Sequence, residues 1–126
     1  MYRTFHLPIF VLLLVVACHD PASAPFGLAG RALEYDYGDS AYRIDFVDES
    51  TLRWKTLRGA GAGSEAEENY RMHRIDRHRL FLAWVEEDGR GVALVLNFEN
   101  QRIHTLIKKK RKVVPVDGTF REIEIR

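Results

Sequence analysis

The sequence RLFLAWVEEDGRGVALVLNF, residues 79–98, decides the fold of this chain because it places two apolar runs on either side of an Asp-Gly pair. Asp88-Gly89 predicts a type I′ turn, since that turn needs positive φ at both central residues and favours this pair. The stretch therefore predicts a β-hairpin with a two-residue turn. In that register the facing pairs are Glu87 with Arg90, Val85 with Val92, Ala83 with Leu94, and Phe81 with Leu96.

Both faces of the predicted hairpin are largely apolar. One face carries Phe81, Ala83, Val85, Val92, Leu94 and Leu96. The other carries Leu80, Leu82, Trp84 and Glu86 against Asn97, Val95, Ala93 and Gly91. A ribbon that is apolar on both sides needs cover on both sides. The pattern therefore favours a barrel with a packed exterior, or a dimer.

Short strands separated by turn residues continue on either side of the hairpin. Residues 42–47 alternate between apolar and charged side chains, which is the two-residue period of a half-buried strand. Further strands are predicted at 32–37, 51–57, 69–75, 101–107, 113–116 and 119–125. Asp117-Gly118 predicts a second hairpin, and Pro115 confines its first arm to a sheet edge. About eight antiparallel strands joined in sequence predict an all-β fold, a small up-and-down β-barrel.

The longest irregular stretch is RGAGAGSEAEE, residues 58–68. Its glycines and small residues predict a mobile loop, which we place at the mouth of the barrel. A glycine-rich loop can also bind phosphate. Neither a strand-to-helix context nor a following Lys-Ser/Thr occurs here, so the flexible loop is the favoured interpretation.

The first 29 residues are predicted to lie outside the barrel. Residues 1–17 combine Arg3, an apolar run of ten residues and a final small residue, which is the pattern of an export signal and too short for a membrane span. Cys18 follows directly, so the segment looks like a bacterial lipoprotein signal in which Cys18 is acylated and becomes the N-terminus. A cleaved secretory peptide and an uncleaved anchor are the alternatives. Residues 18–29 predict a tether and residues 30–126 the barrel domain.

The predicted location is the bacterial cell envelope. His19, rather than Asp, follows the lipidated position, which resembles the pattern sorted to the outer membrane in enteric-type bacteria, so we expect a lipid anchor on the periplasmic face of that membrane. Cys18 is the single cysteine, so the exported domain has no disulfide.

The charge of the chain is balanced. Without residues 1–17 it carries 18 basic and 18 acidic side chains, which does not favour nucleic acid as a partner. The basic run KKKRK, residues 108–112, predicts a solvated strand edge that resists aggregation, or a contact with anionic lipid headgroups or polyanions.

An eight-stranded barrel has room inside for side chains or for one small ligand. The face that carries Trp84 mixes apolar and polar residues, and Gly91 opposite Glu86 leaves space, so we expect this face to line a small-molecule cavity. The predicted wall residues are Leu82, Trp84 and Val95, and the predicted polar contacts are Glu86, Asn97 and Tyr35. No cofactor, metal site or catalytic residue is predicted, because the histidines lack metal-ligand spacing and no nucleophile has a base nearby in sequence.

Four motifs carry a family resemblance. They are EYDYG at 34–38, the Leu-Arg-Trp that follows at 52–54, WVEEDG at 84–89 and VALVLNF at 92–98. With them, residues 30–107 resemble the MoaF-like family of lipocalin-like barrels and the related phenolic acid decarboxylases. Membership implies a ligand-binding barrel and a homodimer.

The resemblance also offers an enzyme hypothesis. In the decarboxylases a glutamate two residues after a tryptophan lies inside the barrel with a tyrosine pair and an arginine. Glu86 and Tyr35 match the glutamate and one tyrosine, the other tyrosine falls on Leu33, and Arg71 is the candidate for the arginine. Decarboxylation requires Arg71, Tyr35 and Glu86 to converge on one cavity.

Three functions are therefore compared. The favoured one is an envelope lipoprotein whose barrel binds a small, partly apolar molecule without catalysis, and it requires a roomy cavity with Glu86 pointing inward. The alternative is a protein-binding adaptor or inhibitor, which requires a filled core and an exposed apolar patch. The third is an enzyme that resembles the phenolic acid decarboxylases.

Overall fold

A computed structural model describes residues 23–125 and contains eight β-strands that close into a barrel. The strands are β1 (Ala32–Asp36), β2 (Ala41–Phe46), β3 (Thr51–Arg58), β4 (Glu65–Arg74), β5 (Arg79–Val85), β6 (Gly91–Asn97), β7 (Arg102–Lys109) and β8 (Lys112–Ile123). Each strand pairs antiparallel with its neighbours in sequence, and β8 returns to pair with β1. The predicted all-β, up-and-down barrel is confirmed.

The predicted export signal (residues 1–17), the lipidation site Cys18 and the first part of the tether lie outside the described residues. They remain predictions. Within residues 23–125, no helix is long and apolar enough to cross a membrane.

The central hairpin forms, but its register differs by one residue from the predicted one. Glu86 N donates to Arg90 O, and Gly89 N donates to Glu86 O, both at 2.8 Å, so the loop holds the three residues 87–89. Gly89 has φ of 87° whereas Asp88 has negative φ, which fits a three-residue loop and not a type I′ turn. The Asp88 carboxylate accepts a hydrogen bond from Arg90 N at 2.9 Å and thereby holds the longer loop.

This shift reverses which side of β6 shares a face with Trp84. Trp84 pairs with Val92, and Leu82 pairs with Leu94. Because side chains alternate along a strand, a slip of one residue moves every side chain of β6 to the opposite face. The inward face predicted for β5 is therefore confirmed, whereas the face predicted for β6 is wrong.

The tail of the chain also differs from the prediction. Asp117-Gly118 does not turn, because β8 runs through it, and the turn lies earlier, at Lys110 with φ of 54°. Gly118 instead allows a close approach of β1, since a Cβ at this position would lie 2.1 Å from Asp36 O. β8 pairs with β1 only from Thr119 onward, so its first half has β7 as its one partner. The prediction that Pro115 lies at a sheet edge is confirmed.

The glycine-rich stretch is shorter than predicted, because β4 begins at Glu65 and not at residue 69. The loop that remains, residues 59–64, is tied to β3 by hydrogen bonds between Thr56 N and Ser64 O (2.9 Å) and between Gly63 N and Thr56 O (2.8 Å).

The two ends of the barrel are different. The N-terminal segment closes one end: Leu28 and Ala24 are buried, and Ala24 N donates to Arg77 O at 2.8 Å. Above this plug the lumen is packed with fully buried side chains, among them Leu33, Phe46, Leu52, Tyr70, Leu80, Leu96 and Ile103. The opposite end is bordered by the β1–β2, β3–β4, β5–β6 and β7–β8 connections and remains open.

Replacing Gly118 with alanine tests the close approach of β1 and β8. We expect Gly118→Ala to lower the free energy of unfolding by about 1–3 kcal/mol, because the new methyl group meets the backbone of Asp36 and must force the strands apart. Gly91→Ala is the matched control, since the nearest atom to its Cβ would be Lys108 Cβ at 3.4 Å. Urea unfolding of both variants measures the difference, and equal losses would contradict the packing described here.

Candidate functional site

The open end of the barrel holds a cavity of about 470 Å³, a size typical of small-molecule sites. Five aromatic side chains line it: Tyr35, Tyr37, Tyr42, Trp54 and Trp84. Its aliphatic wall includes Ile44, Val92, Leu94 and Ile107, and its polar groups include Thr56, Glu68, Glu86, Arg90 and Thr105. Ala60, Gly61 and Ser64 place the glycine-rich loop at the mouth, as predicted.

Strand alternation brings the tyrosines together. Tyr35 on β1 lies opposite Tyr42 on β2, and the Tyr37 ring packs edge-on between them, with centroids 6.5 Å from Tyr35 and 6.0 Å from Tyr42. Tyr37 OH and Thr105 Oγ1 share a hydrogen bond of 2.7 Å that joins β1 to β7 across β8. Edge-to-face contacts of this kind fix ring positions. One wall of the cavity is thus a rigid tyrosine cluster.

Three lining residues carry buried polar atoms that have no hydrogen-bond partner within residues 23–125. These atoms are Tyr35 OH, Trp54 Nε1 and Trp84 Nε1. Burial raises the pKa of Tyr35 well above its ordinary value, so the hydroxyl stays protonated. A buried polar group without a partner costs about 1–3 kcal/mol. Such groups in one cavity indicate a place where bound molecules complete the hydrogen bonding.

Two glutamates face the lumen from neighbouring strands. Glu86 follows Trp84 by two residues and Glu68 precedes Tyr70 by two, and Tyr70 and Trp84 are paired directly. The carboxyl groups therefore lie side by side on the same level of the barrel wall. Glu68 is 9% exposed, and the side chain of Glu86 is 15% exposed.

The electrostatics of Glu86 reflect this setting. Burial raises the pKa of its carboxyl group, the Arg90 guanidinium opposes that rise, and Asp88 and Glu68 add to it by repulsion. Arg90 Nη1 lies 3.8 Å from Glu86 Oε2, an ion pair across the hairpin loop.

Three of the predicted ligand-binding residues, Tyr35, Trp84 and Glu86, line this cavity. Leu82 points inward from the same strand as Trp84 but is fully buried in the core cluster, outside the cavity lining. The structure thus brings together the residues of β1 and β5 that were predicted for the site.

Val95, Asn97 and Arg71 lie elsewhere, and their predicted placement in the site was wrong. Val95 and Asn97 face outward because of the register of β6, and Asn97 Oδ1 accepts a hydrogen bond from Glu99 N at 3.0 Å. Arg71 is exposed, because alternation along β4 turns Tyr70 inward and Arg71 outward. Arg71, Tyr35 and Glu86 therefore do not converge on one cavity.

Sequence reasoning missed Trp54, Glu68 and Arg90 as site residues. Trp54 carried a usable signal, since it alternates with Leu52 on a predicted strand. Glu68 was assigned to the glycine-rich loop, and extending the alternation of β4 backward from Tyr70 would have turned it inward. Arg90 was placed on the other face by the assumed two-residue turn.

His, Cys, Asp and Glu side chains form no group of three or more that could hold a metal ion in the part of the chain that the structure describes.

Comparisons with known proteins agree with this barrel. A solved structure described as a "putative beta-lactamase from Burkholderia vietnamiensis" is similar to this chain with a TM-score of 0.72 and 21% identity, covering 76% of this chain and 95% of that one. At this identity the likeness shows the fold alone. No curated protein matches the chain. The model of the MoaF-like family matches residues 29–121, which is most of the chain. The protein therefore belongs to the MoaF-like family.

Proposed function

We propose that this MoaF-like protein binds one small, partly apolar molecule in the open half of its barrel and releases it unchanged. The observation that carries the proposal is the cavity of about 470 Å³, with aromatic and aliphatic walls and a few convergent polar groups. Ligand sites in proteins have this composition. The partnerless Tyr35 hydroxyl and indole N–H groups supply the hydrogen bonds that a ligand would complete.

The arrangement offers less support for catalysis. The decarboxylase hypothesis needed a cation from Arg71 beside Tyr35 and Glu86, and Arg71 faces outward. The β-lactamase named for the structural neighbour suggests a serine nucleophile, and Ser40 and Ser64 do line the cavity. Neither serine is followed three residues later by the lysine of the Ser-x-x-Lys motif. Binding without chemistry is the simpler use of these residues.

A second candidate function is contact with another protein, which the outer surface favours. An apolar strip crosses β5 to β8, since Phe81, Val85, Leu106 and Val113 are all exposed on the outer face. Their strands are adjacent, and Gly91 and Ala93 keep the centre of the strip flat. Such a strip fits the predicted homodimer or an envelope partner. It lies outside the cavity, so both functions are compatible.

We further infer that the protein is a lipoprotein of the bacterial cell envelope, anchored through Cys18 to the periplasmic face of the outer membrane. The segment that follows the anchor, Ser23 to Leu28, packs at the closed end of the barrel. A lipid at Cys18 would hold that end next to the membrane. The cavity mouth and the basic turn at 108–112 would then lie at the far end, and this orientation favours the solvated-edge interpretation of the basic run.

Filling the cavity tests the proposed binding directly. We expect Ala66→Phe to lower the amount of co-purifying small molecule by about 10-fold or more, because Ala66 lines the cavity beside Trp54 and a ring there occupies ligand space. Ala62→Phe, on the exposed loop, is the control and should retain the wild-type amount. Mass spectrometry of molecules extracted from protein purified without detergent stripping gives the readout. Equal retention by both variants would count against the cavity.

Glu86→Gln should leave the fold intact and alter ligand binding. Because burial raises the pKa of Glu86 in the folded protein, the fold gains stability from protonation as pH falls and loses it as pH rises through that raised pKa. The glutamine variant does not titrate, so it should be at least as stable as wild type at pH 7, with the difference shrinking toward pH ~4. Denaturant unfolding at both pH values measures this. Glu87→Gln, exposed on the same hairpin, is the control. A variant less stable than wild type at pH 7 would contradict the assignment.

Cys18→Ser tests the anchor. Acylation needs the thiol of Cys18, so the variant should incorporate no labelled palmitate and should leave the membrane fraction. Labelling followed by fractionation of bacterial cells gives the readout. Palmitate incorporation equal to that of wild type would overturn the lipoprotein assignment.

A further inference from the structure

We infer that the cavity accepts a small organic cation, an ammonium group carried on an apolar or aromatic body. This inference rests on the proposed ligand-binding function and adds the chemical class of the ligand. The main observation is a carboxylate that the fold buries without compensation. Glu68 is 9% exposed and has no cation within ion-pair distance among residues 23–125. Buried carboxylates in proteins are normally paired, so this one calls for a positive partner.

The position of Glu68 supplies the rest of a cation site. On the inner face of β4, Glu68 lies between Ala66, which pairs with Trp54, and Tyr70, which pairs with Trp84. Its carboxylate is therefore the diagonal neighbour of a tryptophan on each adjacent strand. An ammonium held by Glu68 would meet the indole faces, which attract cations through the ring quadrupole.

The other charges of the cavity leave this site negative. Arg90 is the one cationic side chain that lines the cavity within the described residues, and it is engaged with Glu86 at 3.8 Å. Glu87 and Asp88 add two carboxylates at the mouth. Lys109, at the exposed end of β7, is not part of the lining. Apolar walls concentrate the field of such charges, so the interior attracts cations and repels anions.

The tyrosine wall completes the site. Tyr35 is 2% exposed and lines the cavity, and its hydroxyl oxygen has no partner among the described side chains. A hydroxyl can accept a hydrogen bond from an ammonium N–H or donate one to a ligand oxygen. An anionic ligand would instead meet Glu68 and Glu86 across the lumen, with Arg90 already paired.

The two tryptophans of the chain, Trp54 and Trp84, both line the cavity, so intrinsic fluorescence reports directly on its occupancy. The experiment titrates the purified protein with three probes of one body and different charge: 3-phenylpropylamine, 3-phenylpropanol and 3-phenylpropionate. We expect the amine to bind about 10-fold tighter than the alcohol, and the carboxylate to bind most weakly.

Glu68→Gln isolates the residue responsible, since it keeps the side-chain shape and removes the charge. The variant should bind the amine about 10-fold more weakly than wild type and the alcohol with unchanged affinity. Glu65→Gln is the matched control, because it makes the same change on the exposed, outer face of β4. Retained binding of the alcohol shows that Glu68→Gln still folds.

The outcomes separate the two proposals. If the alcohol or the carboxylate binds as tightly as the amine, the cation assignment is overturned while the ligand-binding function stands. If Glu65→Gln and Glu68→Gln weaken amine binding equally, the charge of Glu68 is not the determinant and the assignment also falls. If none of the three probes changes the tryptophan fluorescence at millimolar concentration, both the cation site and the proposed ligand-binding function are overturned.

Discussion

The pairing of β1 with β8 is the constraint on which the rest of the structure depends. Five residue pairs, from Ala32 with Ile123 to Asp36 with Thr119, close the sheet and convert one of its faces into an interior. Two ion pairs cross this seam on the outside, Arg31 with Glu122 at 2.6 Å and Arg121 with Glu34 at 3.1 Å. Exposed pairs of this kind contribute about 0–1 kcal/mol each. Closure therefore rests on the backbone hydrogen bonds, on the enclosed core and on the close approach at Gly118.

Once the sheet is closed, the barrel divides into a packed half and a hollow half. The N-terminal segment and side chains such as Leu28, Phe46 and Tyr70 fill one end, and Tyr70 OH donates to Asp48 O at 2.8 Å to hold that end together. The other end keeps a cavity lined by rings, with carboxylates on its wall. A hollow forfeits packing contacts, and buried charges without partners destabilise the free protein. The packed half compensates for both, which leaves the open half free to bind.

The sequence predicted the barrel and half of the site, and the misses have physical causes. Alternation along β5 was sufficient to turn Trp84 and Glu86 inward. The side of β6 depended on whether the hairpin loop held two residues or three, and the hydrogen bond from Arg90 N to Asp88 decided that. Gly118 signalled a turn but serves a close approach of strands, which depends on a neighbour 82 residues earlier in the chain. Glu68 was hidden because a polar residue beside a glycine-rich loop carries no sign of burial.

The central claim is that the lumen, and not the outer apolar strip, is the primary binding surface. The most direct measurement is a ¹H–¹⁵N NMR titration of the protein with the small-molecule fraction extracted from the cells that express it. The account predicts that the indole N–H resonances of Trp54 and Trp84 shift together and saturate, while the amides of Phe81 and Val95 stay in place. Shifts confined to the outer faces of β5 and β6, with both indole signals unmoved, would contradict it.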